Sequence, residues 1–331
     1  MSDDQAPQSG TEERFSVIVC FDGSEESHRA LRYAVRVGSG TDADLTLLYV
    51  RPIDNGLRTS GLDLSVVRQN LLEWGLDLPG MRVLKEGRDK LIELGWLQST
   101  WEEEHAHAEV RGDPLGDNAI VYSSPCGRSV VLRLLVAQSI AHGVLDECEL
   151  GQHDLCIVGW PPDSGAASGV GYITQDIAER IAKEHKGTVL VSRFLEESHG
   201  HLVCVSDFEG SIIAARTDAE IAARCMCPIY LLSVAPNESK LYAAKRAIAR
   251  ARAAIRDAGL DVSGAKAVVG DPVTTIVEEG KKHSVIVVSR FKRRTGWRQV
   301  LSNSVAFKVL TSAQNSVMIV RSSLSHKTKV H

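Results

Sequence analysis

Residues 15–50 and residues 201–234 are built to one plan: an apolar run, an acidic residue at its end, a small-polar turn, a helix-patterned stretch and a second apolar run. The closing segments of the two halves agree as well. HDLCIVGW (153–160) and KGTVLVSR (186–193) correspond to HSVIVVSR (283–290) and NSVMIVRS (315–322). A repeat this long calls for two copies of one domain, and a length of 331 residues leads to the same count. The repeat also sets Asp22 and Asp207 at one equivalent point, the carboxyl end of a first strand. In open parallel sheets that is where ligands bind.

Residues 17–21 are continuously apolar, as a strand buried on both faces requires. Ser24 is placed to cap the following helix, Glu25 and Glu26 suit its dipole, and Ala30, Leu31, Ala34 and Val35 give it one apolar face. Residues 45–50 form the second strand. The other half repeats the order with a strand at 203–205, a helix bearing Ile212, Ala215 and Ala222, and a strand at 229–234. A helix over 239–258 carries Lys245, Arg246, Arg250 and Arg256, which read as a solvated face. Strands at 265–269, 284–288 and 317–320 complete that half. Strands alternating with helices specify a doubly wound parallel sheet.

The first half is longer. Residues 106–110 read as its third strand, because they end in Gly112-Asp113-Pro114, the tripeptide that recurs as Gly270-Asp271-Pro272. Residues 129–145 read as an amphipathic helix, too polar at Arg133, Gln138 and His142 to span a bilayer. Helix two extends through Trp74, Trp96 and Trp101, and the added apolar surface is expected between the halves or between subunits. The domains are accordingly 14–196, with an enlarged helix two and an extra segment inserted near 115–150, and 200–322, flanked by tails at 1–13 and 323–331 that are expected to be disordered.

A net charge of −4 lacks the basic footprint of a nucleic-acid binder. Several of the seven cysteines, Cys20, Cys156 and Cys204 among them, lie in apolar runs, which fits reduced core thiols in the cytoplasm rather than a disulfide framework. The first residues carry no apolar signal segment, and no membrane insertion is expected.

FDGSEES (21–27) after the first strand, Gly-Asp-Pro after the third, and a glycine-rich or basic loop after the fourth resemble the universal stress protein family in its tandem form. The resemblance covers both halves and is weakest over 53–105 and 115–150. It implies an α/β fold of the adenine nucleotide alpha hydrolase type, with a five-stranded parallel sheet in each of two tandem doubly wound domains. It further implies pairing through the last strand, as a pseudo-dimer within the chain and as a homodimer. The family divides into members that bind ATP or another adenine nucleotide and members that bind none. In binding members the aspartate after strand one lies near the adenine, and a loop of pattern G-x2-G-x9-G-[ST] wraps ribose and phosphates.

Carried over to this chain, the second-half set is Asp207, Gly270, Ser289, Lys292, Arg293, Arg294, Gly296, Asn303 and Ser304. Of the loop pattern only the serine survives there, with Asn303-Ser304 one residue late and arginine forks standing where backbone amides serve. The first-half set is Asp22, Gly23, Gly112 and Gly159. Pro162 stands at the second glycine and removes a donor, and Gln175-Asp176 replaces Gly-Ser, putting a carboxylate where a phosphate would sit. The first site is therefore expected to be degenerate.

Cys225-Met226-Cys227 reads as the lead-in to a strand, and no metal cluster is expected, because no further Cys or His pair has metal-site spacing. Neither a nucleophilic set nor paired carboxylates stand out, so no enzyme activity is assigned. Two functions remain open: a nucleotide-binding stress or signalling protein, and a non-binding interaction module that docks a partner. For the second, DLCIVGWPP preceded by VLRLLVAQSIAHG resembles the soluble regulatory domain of cation–chloride cotransporters.

Overall fold

Among the described residues, twelve strands make one continuous sheet in the order β10-β9-β8-β11-β12-β7-β6-β1-β2-β5-β4-β3. The structure is a computed structural model that describes residues 14–38, 43–53, 78, 80–111, 113–162, 171–193, 200–290 and 304–321. In the first half, β1 (Phe15–Cys20), β2 (Ala43–Pro52), β5 (Ser129–Ala137), β6 (Leu155–Gly159) and β7 (Thr188–Ser192) are mutually parallel, in the order β5-β2-β1-β6-β7. The second half repeats this order with β10 (Gly264–Val269), β9 (Ile229–Ala235), β8 (His201–Cys204), β11 (Val285–Arg290) and β12 (Ser316–Arg321). Both are doubly wound, and in each the order of winding reverses at the first strand, as expected.

Helices cover both faces. They are α1 (Glu25–Gly38), α2 (Met81–Glu93), α3 (Ile140–Leu150) and α4 (Gln175–Glu184) in the first half. The second half supplies α5 (Glu209–Arg224), α6 (Leu241–Asp257), α7 (Pro272–Gly280) and α8 (Val305–Ser312). Central strands such as β6 are apolar along their whole length because both sheet faces are covered there. Leu155, Cys156, Ile157 and Val158 are all fully buried, with odd and even residues feeding separate cores on the two faces.

The halves meet through their last strands. β7 and β12 pair antiparallel, with Leu190 opposite Met318, Val191 opposite Val317 and Val189 opposite Ile319. Equivalent residues of the repeat thus exchange places about a local two-fold axis, and the last strand of each half has its partner within the chain. The strand that the resemblance assigns to homodimers is already used.

Two expectations fail in the first half. Residues 129–145 are a strand and a helix, not one helix: β5 buries Val130, Leu132 and Leu134 in alternation, and Ser139 then caps α3 by accepting from the His142 amide. The parallel third strand is therefore β5. Residues 106–110 lie instead in β3 (Glu102–Val110), which pairs antiparallel with β4 (Asp113–Ser123), itself antiparallel to β5. The extra segment extends the outer edge of the sheet, at the end opposite the junction, so it does not mediate contact between the halves. Trp96 and Trp101 follow α2, buried, with the Arg128 guanidinium 4.8 and 5.1 Å from their rings.

The two Gly-Asp-Pro tripeptides are not equivalent. Asp271 caps α7, accepting from the Thr274 amide at 2.9 Å, with Pro272 in the first turn. Its counterpart is the Ser139 cap. Asp113 opens β4 and forms a buried ion pair with Arg51. The histidines before the fourth strands also differ: His153 Nδ1 meets the Ser16 hydroxyl at 2.7 Å, whereas the His283 ring lies 4.8 Å from that of Tyr230. Among the described residues no helix is long and apolar enough to cross a membrane.

Candidate functional site

The carboxyl ends of β1 and β8, where the repeat places Asp22 and Asp207, have diverged. Asp22 is buried and fully engaged. Its Oδ1 accepts from the Ser24 amide at 3.0 Å and the Ser24 hydroxyl at 2.6 Å, and its Oδ2 accepts from the Ile173 amide at 2.9 Å. Ser24 in turn caps α1 through the Ser27 amide. The chain at 171–173 therefore lies over the strand end, with Ile173 buried. Gly171, at φ +99°, passes so close to Tyr49 that a Cβ there would sit 2.1 Å from the phenol oxygen. Burial raises the Tyr49 pKa. Gln175 Nε2 then ties the start of α4 to the Pro161 carbonyl at 2.9 Å.

The other first-half candidates serve packing. Gly23 takes φ +82° in the turn before α1. Gly159 lets β6 approach α1, since a Cβ on it would meet Glu26 Cβ at 2.8 Å. Gly112 lies outside the described residues. At the end of β1, residues 171–173 stand at the place equivalent to the end of β8.

The second half keeps a cleft of about 410 Å³ at the ends of β8, β9 and β11, beneath the starts of α7 and α8. Val205, Leu232, Val234, Ile276 and Val288 supply an apolar floor, and the hydroxyl-bearing residues are Ser206, Ser211, Ser289 and Ser304. Ser304 is the α8 cap, accepting from the Phe307 amide. Ser211 Oγ accepts from the Ser206 amide at 2.9 Å and fixes the turn into α5. No carboxylate is among the described lining residues. Arg290 reaches this wall at its backbone end, while its guanidinium crosses to the Lys183 carbonyl at the end of α4 and lies 5.0 Å from the Phe307 ring centre.

Ser289 and Ser304 are thus where the sequence places them. Asp207 is not in the lining. Its carboxylate is held by Arg246 and by Arg250 at 3.2 Å, both from α6, and Arg250 also pairs with Glu209. The hydrogen bond from Arg246 lowers the Asp207 pKa, and that from Arg250 adds to it. The basic face of α6 is therefore a partner of Asp207 and not only a solvated surface. Gly270 follows β10, donates its amide to the Ala235 carbonyl and is not among the described lining residues. Lys292, Arg293, Arg294, Gly296 and Asn303 lie outside the described residues. Ser206 and Ser211 were not singled out from sequence; their signal was the small-polar turn on either side of Asp207.

Residues 14–73 match the sequence model of the universal stress protein family. The likeness in sequence extends over that stretch of the first half. No curated protein matches it. In fold, the whole chain is similar to a universal stress protein from Archaeoglobus fulgidus, at 13% identity and TM-score 0.56, over 94% of this chain and 97% of that one. It is similar to a protein of unknown function from Pseudomonas aeruginosa, at 16% identity and TM-score 0.55, over 92% of each. A universal stress protein from Archaeoglobus fulgidus in complex with dAMP matches over 38% of this chain and 99% of its own length, at 19% identity and TM-score 0.31. The full-length likenesses show a tandem universal stress protein fold, in agreement with the repeated strand order.

Proposed function

We propose that this chain is a tandem universal stress protein that binds one adenine nucleotide, in the second half, and acts as a stress-response or signalling protein through that binding. The observation that carries the reading is the contrast between the two strand ends. The cleft beside β8 is open and lined by serines and aliphatic side chains, while the matching place beside β1 is filled by residues 171–173.

A cleft of about 410 Å³ falls within the roughly 300–1,000 Å³ typical of small-molecule sites. The purine would lie on the aliphatic floor of Val205, Leu232, Val234 and Ile276. Ser289 and the Ser304 cap at the α8 N-terminus would face the phosphates, where the helix dipole favours negative charge. No carboxylate stands among the described lining residues to repel a phosphate there. Because neither carboxylate nor histidine stands among the described lining residues, nothing there is placed as a general base, and binding without turnover is the reading.

Isothermal titration with AMP, ADP, ATP and dAMP tests this, using wild type and Val234→Phe, which fills the cleft from a half-buried position. Binding by wild type that is lost in Val234→Phe is expected. No heat from wild type with any of the four at millimolar concentration would discard the reading.

A further inference from the structure

A second cluster lies apart from the cleft, where α1 of the first half packs against α5 and β8 of the second. His201 opens β8 and is fully buried; Asp218 on α5 is equally buried and accepts from its Nδ1 at 2.8 Å. Cys225, the C-cap residue that follows α5, is buried, and Cys227 follows at a half-buried position. Their sulfurs are 2.9 Å apart. The ligand atoms of His201, Cys225 and Cys227 all lie within 4.8 Å of one another. On the remaining side the buried hydroxyl of Tyr33, from α1, is 3.1 Å from His201 Nε2.

We propose that His201, Cys225 and Cys227 form a zinc site at the junction of the two halves, with the Tyr33 oxygen as fourth donor. Two thiolates and an imidazole are a donor set that zinc prefers, and four protein ligands make the closed tetrahedral coordination of a structural site. The sulfurs need to part to roughly 3.8 Å for Zn–S bonds of about 2.3 Å. Met226 between them has φ +52° and is 90% exposed, so the short turn that separates them faces solvent and can adjust.

Asp218 supplies the independent observation. A metal-bound histidine characteristically gives its other ring N–H to a carboxylate, which fixes the ring and the tautomer. His201 does this through Nδ1, so Nε2 is the nitrogen turned toward Tyr33 and the thiols. Asp218 Oδ2 is buried with no hydrogen-bond partner, a deficit that a nearby cation offsets. Each thiol releases its proton to solvent on binding. The metal would then staple α1 of one half to β8 and α5 of the other, making the rigidity of the junction depend on zinc.

The test starts from reduced full-length protein stripped with a chelator, then supplied with Zn2+ and desalted. One zinc per chain by elemental analysis is expected, with a higher melting temperature that chelator reverses. Cobalt in its place should give intense visible bands and thiolate-to-cobalt charge transfer. Cys227→Ser, at a half-buried position, should melt like the metal-free wild type, bind zinc at least about tenfold more weakly and show no zinc-dependent shift. Absence of retained zinc, a weak six-coordinate cobalt spectrum, or unchanged zinc affinity in Cys227→Ser would each overturn the proposal. So would a Cys225–Cys227 disulfide in freshly purified protein that resists mild reduction. None of these outcomes depends on whether the cleft takes a nucleotide.

Discussion

Arg193 and Arg321 stand at equivalent ends of β7 and β12, and each donates to backbone carbonyls at the end of the other half's last helix. Arg193 binds the carbonyls of Leu310 in α8, at 2.6 Å, and of Ala313 just after it; Arg321 binds that of Lys183 at 2.8 Å in α4. Arg290 adds a second donor to the Lys183 carbonyl. The carbonyls at helix ends lack intrahelical partners, and a cation there also suits the helix dipole. The junction is thus sealed by the same device twice, once from each side of the local two-fold axis.

Arg193→Ala should loosen this junction. The guanidinium is buried and lies 4.3 Å from the Trp160 ring centre, so its loss leaves buried carbonyls unmatched and a gap beside the indole. A loss of about 2–4 kcal/mol is expected. Urea unfolding followed by tryptophan fluorescence checks it, and a change below half a kilocalorie per mole would remove the arginine from the account.

Acid should weaken the same contact. Burial, then the nearby Arg321 and His153, push the His185 pKa down to about 4. A histidine held neutral in the folded state contributes stability that is present above its unfolded pKa of about 6.5 and is lost as pH falls toward the folded value. Stability should therefore decline between about pH 6.5 and 4, and His185→Gln should reduce the slope of that decline. His153, also lowered by burial, adds to it with the same sign. Melting temperatures of the two proteins across that range decide the matter; identical slopes would count against it.

The buried pair Arg51–Asp113 offers a sharper contrast. Asp113→Ala leaves a guanidinium with 7% side-chain exposure and no carboxylate, and should cost about 3–5 kcal/mol. The Leu115 and Gly116 amides lose an acceptor as well. Replacing both partners, Arg51→Met with Asp113→Leu, should recover most of the loss, since paired burial of charge is itself expensive. Chemical denaturation of the single and double variants distinguishes these outcomes.

This pair also shows where sequence reasoning stopped. Gly112-Asp113-Pro114 and Gly270-Asp271-Pro272 are identical as text, yet Asp271 meets a partner three residues away while Asp113 meets one 62 residues away. Local chemistry is legible in a tripeptide; a tertiary partner is not. The strand-helix alternation and the repeated order follow from periodicity, so they could be read directly, whereas Ser304 was reached only through the family's loop pattern. Asp22 looked like Asp207, but one is bound by a backbone amide 151 residues on and the other by two helix arginines. The alternating burial of β5 was hidden in a run apolar enough to pass for a helix. The approach of Tyr33 to His201 spans 168 residues and no spacing rule reports it.

Asp22→Ala tests the idea that the first strand end is structural. It removes the acceptor for two amides and a hydroxyl at a buried position, and a loss of about 1–3 kcal/mol is expected. Nucleotide affinity should stay within about twofold of wild type, a change of a few tenths of a kilocalorie per mole. Calorimetry of unfolding and of binding on one preparation reads both, and a large drop in affinity would return the first half to the site.

The central claim is one nucleotide site, in the second half. Native mass spectrometry of the full chain with AMP or ATP counts bound ligands directly. One nucleotide per chain, absent in Val234→Phe and present in Asp22→Ala, is the predicted result. Two per chain, or one that persists in Val234→Phe and vanishes in Asp22→Ala, would contradict it.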